Sequence, residues 1–304
     1  MLLALVASWI VLAQANPPPA PKADPLLAQQ LLAAGRTRDA EAMYEQLVQL
    51  APSDGSLWNA LGGARFAQKD YLDAIPAFRR AHELLPSNLT VLDNLGCSYF
   101  NAQQLDAARE TFQKSVEVAP SAPRSHTFLG RIAALRGDAS TAESEFQLAV
   151  GSPQVDSLAP FHYGLHLFQE RRLEDAARAF EYALRLDPEF ASAHMNLGLV
   201  LQRRGDMARA EFHMARFREL TEPVLAEDRR RIRVGALLRD VQREFEAANL
   251  DAALGLALDA AREAPEAPVV HSTLARLYQL KGRHDDAQRE LELARKLTSE
   301  PRKQ

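Results

Sequence analysis

The decapeptide FHYGLHLFQE places His162, His166 and Glu170 four residues apart, on one face of a helix. Two imidazoles at that spacing can hold zinc, and a catalytic centre would add a third protein ligand and an open position. Helical zinc peptidases carry glutamate directly after the first histidine, whereas here Tyr163 follows His162. Polar packing is the reading for this face, with metal-dependent activity as the alternative. His126, His194 and His271 recur along the chain, but no serine or cysteine stands with a base and an orienting group. No catalytic residue, cofactor or metal site is assigned. Cys97 is the single cysteine, which excludes an internal disulfide framework and a cysteine-rich zinc site, and it reads as a small buried apolar residue. The segment RRRIRVGALLRDVQRE gathers Arg229, Arg230, Arg231, Arg233, Arg239 and Arg243, which could dock an acidic partner or an anionic lipid. Glu227, Asp228, Asp240 and Glu244 interleave with them, so a solvated, charge-laced helix is expected instead.

The elements that would carry these residues announce themselves by a period. Glycine recurs at Gly62, Gly96, Gly130, Gly164 and Gly198, each 34 residues after the last. Twelve residues after each stands alanine (Ala74, Ala108, Ala142, Ala176, Ala210), and four further on Phe78, Phe112, Phe146, Phe180 and Met214. Prolines close each period at or beside one phase, at Pro52, Pro86, Pro120, Pro153, Pro188 and Pro223. Alanine, leucine, arginine, glutamate and glutamine dominate while β-branched residues are sparse, which favours helix over sheet. A helix-turn-helix repeat follows, in which a small residue on each helix permits a close crossing. Gly62 is then the repeat glycine, and its neighbour Gly63 is incidental. Gly35, Gly137, Gly205 and Gly282 fall at the expected turn between the two helices, where a left-handed residue ends the first. Asp70, Asp138 and Asp206 stand where a carboxylate would cap the second.

A 34-residue repeat with Leu-Gly at positions 7 and 8, alanine at 20, an aromatic at 24 and proline at 32 resembles the tetratricopeptide repeat. The stretch LWNALGGARFAQKDYLDAIPAFRRAHELLP is the fullest copy, with Trp58, Leu61, Gly62, Ala74, Phe78, Ala81 and Pro86 in their slots. Six contiguous repeats are laid out over 21–54, 55–88, 89–122, 123–156, 157–190 and 191–224. A nine-residue insertion, 225–233, precedes a degenerate repeat at 234–267, in which Asp240 and Val241 take the Leu-Gly slots, and a last repeat at 268–301. The resemblance implies an all-α, right-handed solenoid of helix pairs and, as function, non-catalytic protein–protein interaction. No stretch of about 50 residues remains within this sequence for a separate catalytic domain.

In the family the binding surface is the concave face, lined by positions 2, 5, 9 and 12 of each first helix. Mapped onto this chain, it takes in Asn59, Phe66, Phe100, Arg124, Arg131, Phe161, Leu165, Phe168, Leu199 and Gln202, with Asn94 and Asn196 at position 6. The phenylalanines either form an exposed apolar track for a partner peptide or helix, or complete the layer between helices. The lysine-asparagine clamp that grips chaperone tails is not matched: Asn59 with Gly63, and Arg124 with Phe128, fill the nearest slots. His126, His194 and His271 share position 4 with Trp58, which suggests packing with a hydrogen-bonded edge.

With 36 lysines and arginines against 40 aspartates and glutamates, the formal net charge is -4, which argues against a nucleic-acid partner. MLLALVASWIVLAQA followed by NPPPAPKADP has the apolar core and the small residues Ala13 and Ala15 of a secretory signal peptide, without the usual basic start. Residues 1–15 are expected to be a leader and 16–20 a proline-rich linker. The apolar run is shorter than the ~20 residues of a membrane span. A scaffold or adaptor in the bacterial periplasm or envelope is the expectation, and a cytoplasmic adaptor the alternative.

Overall fold

The computed structural model describes residues 23–299. Among the described residues there are fifteen α-helices and no strand. They are α1 (Pro25–Ala33), α2 (Thr37–Leu50), α3 (Gly55–Ala67), α4 (Tyr71–Leu84), α5 (Leu89–Asn101), α6 (Leu105–Val118), α7 (Pro123–Leu135) and α8 (Ala139–Val150). These are followed by α9 (Leu158–Gln169), α10 (Leu173–Leu186), α11 (Ala191–Arg203), α12 (Met207–Glu246), α13 (Leu250–Glu263), α14 (Pro268–Leu280) and α15 (His284–Ser299). The fold is an all-α solenoid of tandem helix-turn-helix repeats. The expected leader (1–15), the proline-rich stretch (16–20) and the outermost residues of the first and last repeats lie outside the described residues. The described chain divides into two compact units, one ending at Ala210 and one beginning at Glu211.

Local chemistry sets the helix ends. The Asp54 carboxylate accepts from the amides of Ser56 and Leu57 to start α3, Asn88 accepts from Val91 to start α5, and Pro123 occupies the first turn of α7. The turn inside each pair is made by one left-handed residue. Gly35, Gly137, Gly205 and Gly282 have φ of 72°, 77°, 83° and 73°, as the glycine pattern predicts. The other pairs use Lys69, Gln103, Arg171 and Ala248 at φ of 67°, 62°, 59° and 59°, which the sequence did not advertise. Of the three expected caps, Asp138 and Asp206 accept from Thr141 and Arg209, whereas Asp70 makes no side-chain capping bond. Its helix α4 continues through Pro76.

In the N-terminal unit four of the repeat glycines face aromatic rings. A Cβ placed on Gly62, Gly96 or Gly164 would stand 2.7 Å from the ring of Phe78, Phe112 or Phe180, and one on Gly130 would stand 3.0 Å from Phe146. The partner of each glycine is thus the phenylalanine four residues after the repeat alanine, and both it and the alanine are almost fully buried. A methyl group at Gly63 would meet nothing within 4 Å, as befits an incidental glycine.

The same 16-residue spacing explains the degenerate repeat in the C-terminal unit. Val241 takes the glycine slot and Ala257 the phenylalanine slot, and both are buried in one cluster with Leu254, Leu274 and Tyr278. Bulk has moved from one helix to the other, so the sequence motif is lost while the crossing stays packed.

Helix α12 is one continuous element that contains the expected insertion, 225–233. Nine residues are about two and a half helical turns, so the phase slip is taken up as helix length. Pro223, one residue beside the phase of the other repeat prolines, lies inside this helix instead of after it. Its missing N–H removes only one bond from a long ladder.

Candidate protein-binding face

Within the N-terminal unit the first helices of successive pairs, α3, α5, α7, α9 and α11, touch one another in order. Their side chains reach from each helix to the next. Asn94 Nδ2 donates to Asn59 Oδ1 at 3.1 Å, joining α5 to α3. Arg124 Nη2 donates to Cys97 Sγ at 3.4 Å, joining α7 to α5. The Phe100 ring meets Phe128 edge-on at 5.2 Å, and Phe128 stacks on Phe112 at 4.8 Å. The Arg131 guanidinium lies over both Phe100 (4.4 Å) and Phe128 (4.7 Å).

These contacts revise the expected apolar track. Phe100 is buried, in a cluster with Cys97, Phe112, Leu129 and Ile132, because position 12 points between adjacent first helices and Arg131 roofs it. Phe66 is half-buried, edge-on to Tyr71 and packed near Tyr99. Phe168 is half-buried beneath Arg203, whose guanidinium lies 4.4 Å from its ring centroid. Phe161 is buried and Leu165 partly so. Asn196 donates to the Ser192 carbonyl of its own helix, and Leu199 and Gln202 are exposed. The face is one of aromatic rings covered by guanidiniums. Arg203 was missed by position mapping because it sits at position 13.

Electrostatics on this face follow from burial. Burial pushes the Cys97 thiol up, so it stands protonated beside Arg124. Asp93, with the Ser115 and Ser125 hydroxyls at 3.2 and 3.0 Å, is raised by burial. His162 is lowered to about 4, first by desolvation and then by the charge of Arg131, and is neutral at pH 7.

Of the residues whose spacing suggested metal chemistry, the two histidines lie against aromatic rings, His162 against Phe161 and His166 against Phe146. His166 is buried with its ring 5.5 Å from that of Phe146, while Glu170 is exposed at the end of α9. Among the described residues no group of three histidine, cysteine, aspartate or glutamate side chains could hold a metal ion. At position 4 one geometry recurs: a ring nitrogen reaches the carbonyl of the proline six residues earlier. The pairs are Trp58 with Pro52 (2.9 Å), His126 with Pro120 (2.9 Å), His194 with Pro188 (3.1 Å) and His271 with Pro265 (2.7 Å). The other ring nitrogens of His126 and His271 meet Glu145 and Glu290 at 2.7 and 2.6 Å. Since carboxylate and carbonyl can only accept, this geometry suits the imidazolium at His126, and the Glu145 bond raises its pKa.

In the arginine-rich part of α12, Arg229, Arg230, Arg231 and Arg243 pair with Glu222, Glu227, Asp228 and Asp240, and Arg233 pairs with Glu263. The cluster is an ion-paired helix surface. No described helix is long and apolar enough to cross a membrane.

The sequence pattern of the tetratricopeptide repeat matches residues 26–88, 94–156 and 164–217, and a second pattern of that description matches 268–292. Over 170 residues the chain is 26% identical to BBSome complex member BBS4 of Xenopus tropicalis, covering 52% of this chain and 33% of that protein. Over 160 residues it is 27% identical to stress-induced-phosphoprotein 1 of Caenorhabditis elegans, covering 50% of this chain and 48% of that protein. The chain thus spans a third to about half of the length of these relatives. Its fold is similar to that of a thermophilic TPR protein of Thermus thermophilus, with a TM-score of 0.51, 19% identity, and coverage of 58% of this chain and 96% of that one.

Proposed function

The chain belongs to the tetratricopeptide repeat family, and we propose that it acts as a non-catalytic protein–protein interaction scaffold. A partner peptide or helix would lie along the face formed by α3, α5, α7, α9 and α11. The observation that carries this reading is the row of side chains crossing that face, in which the polar ends of Asn59, Asn94, Arg124 and Arg131 are held in place by contacts between neighbouring helices. Groups fixed in this way lose little freedom on binding, which favours recognition. The proposed setting is the bacterial periplasm or cell envelope, supported by the apolar leader with Ala13 and Ala15.

Capture from an envelope extract of the native host tests the proposal. The wild-type chain is expected to retain a partner that is lost with the face variant Leu199→Asp/Arg124→Glu and kept with Arg231→Glu on α12. Leu199 and Arg124 are both exposed, so the double variant should melt like wild type. An unchanged set of captured proteins in the face variant would refute the assignment of this surface.

A further inference from the structure

Two arginines of α7 stand outside the ion pairs that join neighbouring helices of the N-terminal unit. Arg65, Arg136, Arg172, Arg204 and Arg209 each hold a carboxylate on a neighbouring helix. Arg131 holds none. Its guanidinium is half-buried against Phe100 and Phe128, burial lowers its pKa, and no hydrogen-bond acceptor in the described residues meets its N–H groups. Stacking satisfies the flat faces of a guanidinium and leaves its five N–H donors at the edges. Arg124, seven residues earlier, projects from the same side of α7, since seven residues bring a helix almost back to its starting direction. It forms no ion pair either, and its one bond is to the neutral Cys97 thiol. Asp93 and Asp156 act on it only from a distance.

We propose that Arg124 and Arg131 are an anion-binding pair that grips acidic side chains of the partner polypeptide, one carboxylate on each guanidinium fork. This rests on the scaffold reading of the same face. The two Cα atoms lie about 10 Å apart along the helix, from seven rises of 1.5 Å. Acidic residues three apart on a polyproline II segment, which has three residues per turn and a rise of about 3.1 Å, or seven apart on a helix, match that spacing. A nucleic acid fits less well, because a strand bearing a phosphate at every nucleotide would set its remaining charges against Asp93, Asp156 and a chain of net charge -4.

The test uses the full chain and random twelve-residue peptides displayed on phage. Selected peptides are expected to be rich in aspartate and glutamate. Synthetic copies, followed by fluorescence anisotropy, should bind roughly tenfold or more weakly to Arg124→Gln and to Arg131→Gln. Replacing the peptide's acidic residues by their amides should cost a similar factor. Because Arg131→Gln also removes the stacked charge from Phe100, Arg131→Lys serves as control: it is expected to bind at an intermediate level and to melt near wild type. Neutral or basic peptides that still lose binding with Leu199→Asp would overturn the anion pair and leave the face standing. Peptides indifferent to Leu199→Asp and to both glutamine variants would overturn the face as well. Displacement of the acidic peptide by a single-stranded oligonucleotide at equal concentration would overturn it in favour of a phosphate ligand.

Discussion

One methyl group separates Gly62 from alanine, and the space for it is already taken by the Phe78 ring. Phe78 is itself 1% exposed, so the ring cannot swing away without opening the core. Next to it, Gly63 meets nothing within 4 Å and gives up helix propensity for no contact. The two adjacent glycines should therefore answer the same substitution with opposite signs. Gly63→Ala is expected to stabilise by up to about 1 kcal/mol from propensity alone. Gly62→Ala should destabilise on balance, because overpacking costs roughly 1–3 kcal/mol against that same gain. Urea midpoints of the two variants decide it, and equal shifts would show that Gly62 has no special neighbour. At this scale the period in the sequence was enough, since by itself it distinguishes the two glycines. It was not enough for Phe100. Position 12 borders both the open face and the seam between first helices, and which way the ring turns depends on Arg131 in the next repeat.

The helix pair is held by its turn and by latches to the preceding pair. Arg136, Arg204 and Lys281, at one phase of the repeat, reach back to Asp106, Glu174 and Asp251, again at one phase. Such exposed pairs contribute about 0–1 kcal/mol each. They align neighbours more than they stabilise them. Turn backbones matter more. A left-handed residue other than glycine costs roughly 1–2 kcal/mol, and asparagine or aspartate offsets part of this with local hydrogen bonds. Ala248 has no such side chain, yet sits at φ 59°, while Gly282 serves the next turn at φ 73°. Ala248→Gly should stabilise and Gly282→Ala should destabilise, each by about 1 kcal/mol, read as opposite shifts of the denaturation midpoint. A loss in both variants would place the strain somewhere other than the turn. Glycine made half of these turns legible from sequence. Lys69, Gln103, Arg171 and Ala248 carry no local mark, because the helices on either side impose the conformation. The degenerate repeat was obscured for a similar reason: the Val241 and Ala257 exchange keeps the crossing packed and discards the motif.

The described residues form several hydrophobic clusters and not a single core, and that decides how damage spreads. Around α1 to α4 the buried residues Ala28, Met43, Leu47 and Leu61 form one cluster; around α9 to α12, Phe161, Phe180, Leu197 and Leu201 form another. Within the N-terminal unit each helix pair packs on its neighbours in sequence, so the stability of that unit is close to a sum of local terms and of contacts between adjacent pairs. The 34-residue period makes this organisation readable from the amino acids, because a repeat that cannot bury its own apolar face must borrow the next one. Partner identity was not readable in the same way, since the groups that face a ligand are free to vary without disturbing the period. The organisation predicts a local response to core cavities within the N-terminal unit. Leu61 is 2% exposed and Leu197 0% exposed, so truncation of either to alanine should cost about 2–5 kcal/mol. Native-state hydrogen exchange is expected to show the loss concentrated near the altered pair. Leu61→Ala should deprotect α2 to α4 while α9 to α11 keep nearly wild-type protection, and Leu197→Ala should do the reverse. Exchange that rises uniformly from α1 to α11 in either variant would mean that the unit unfolds as one cooperative block, and the nearest-neighbour description would have to be abandoned.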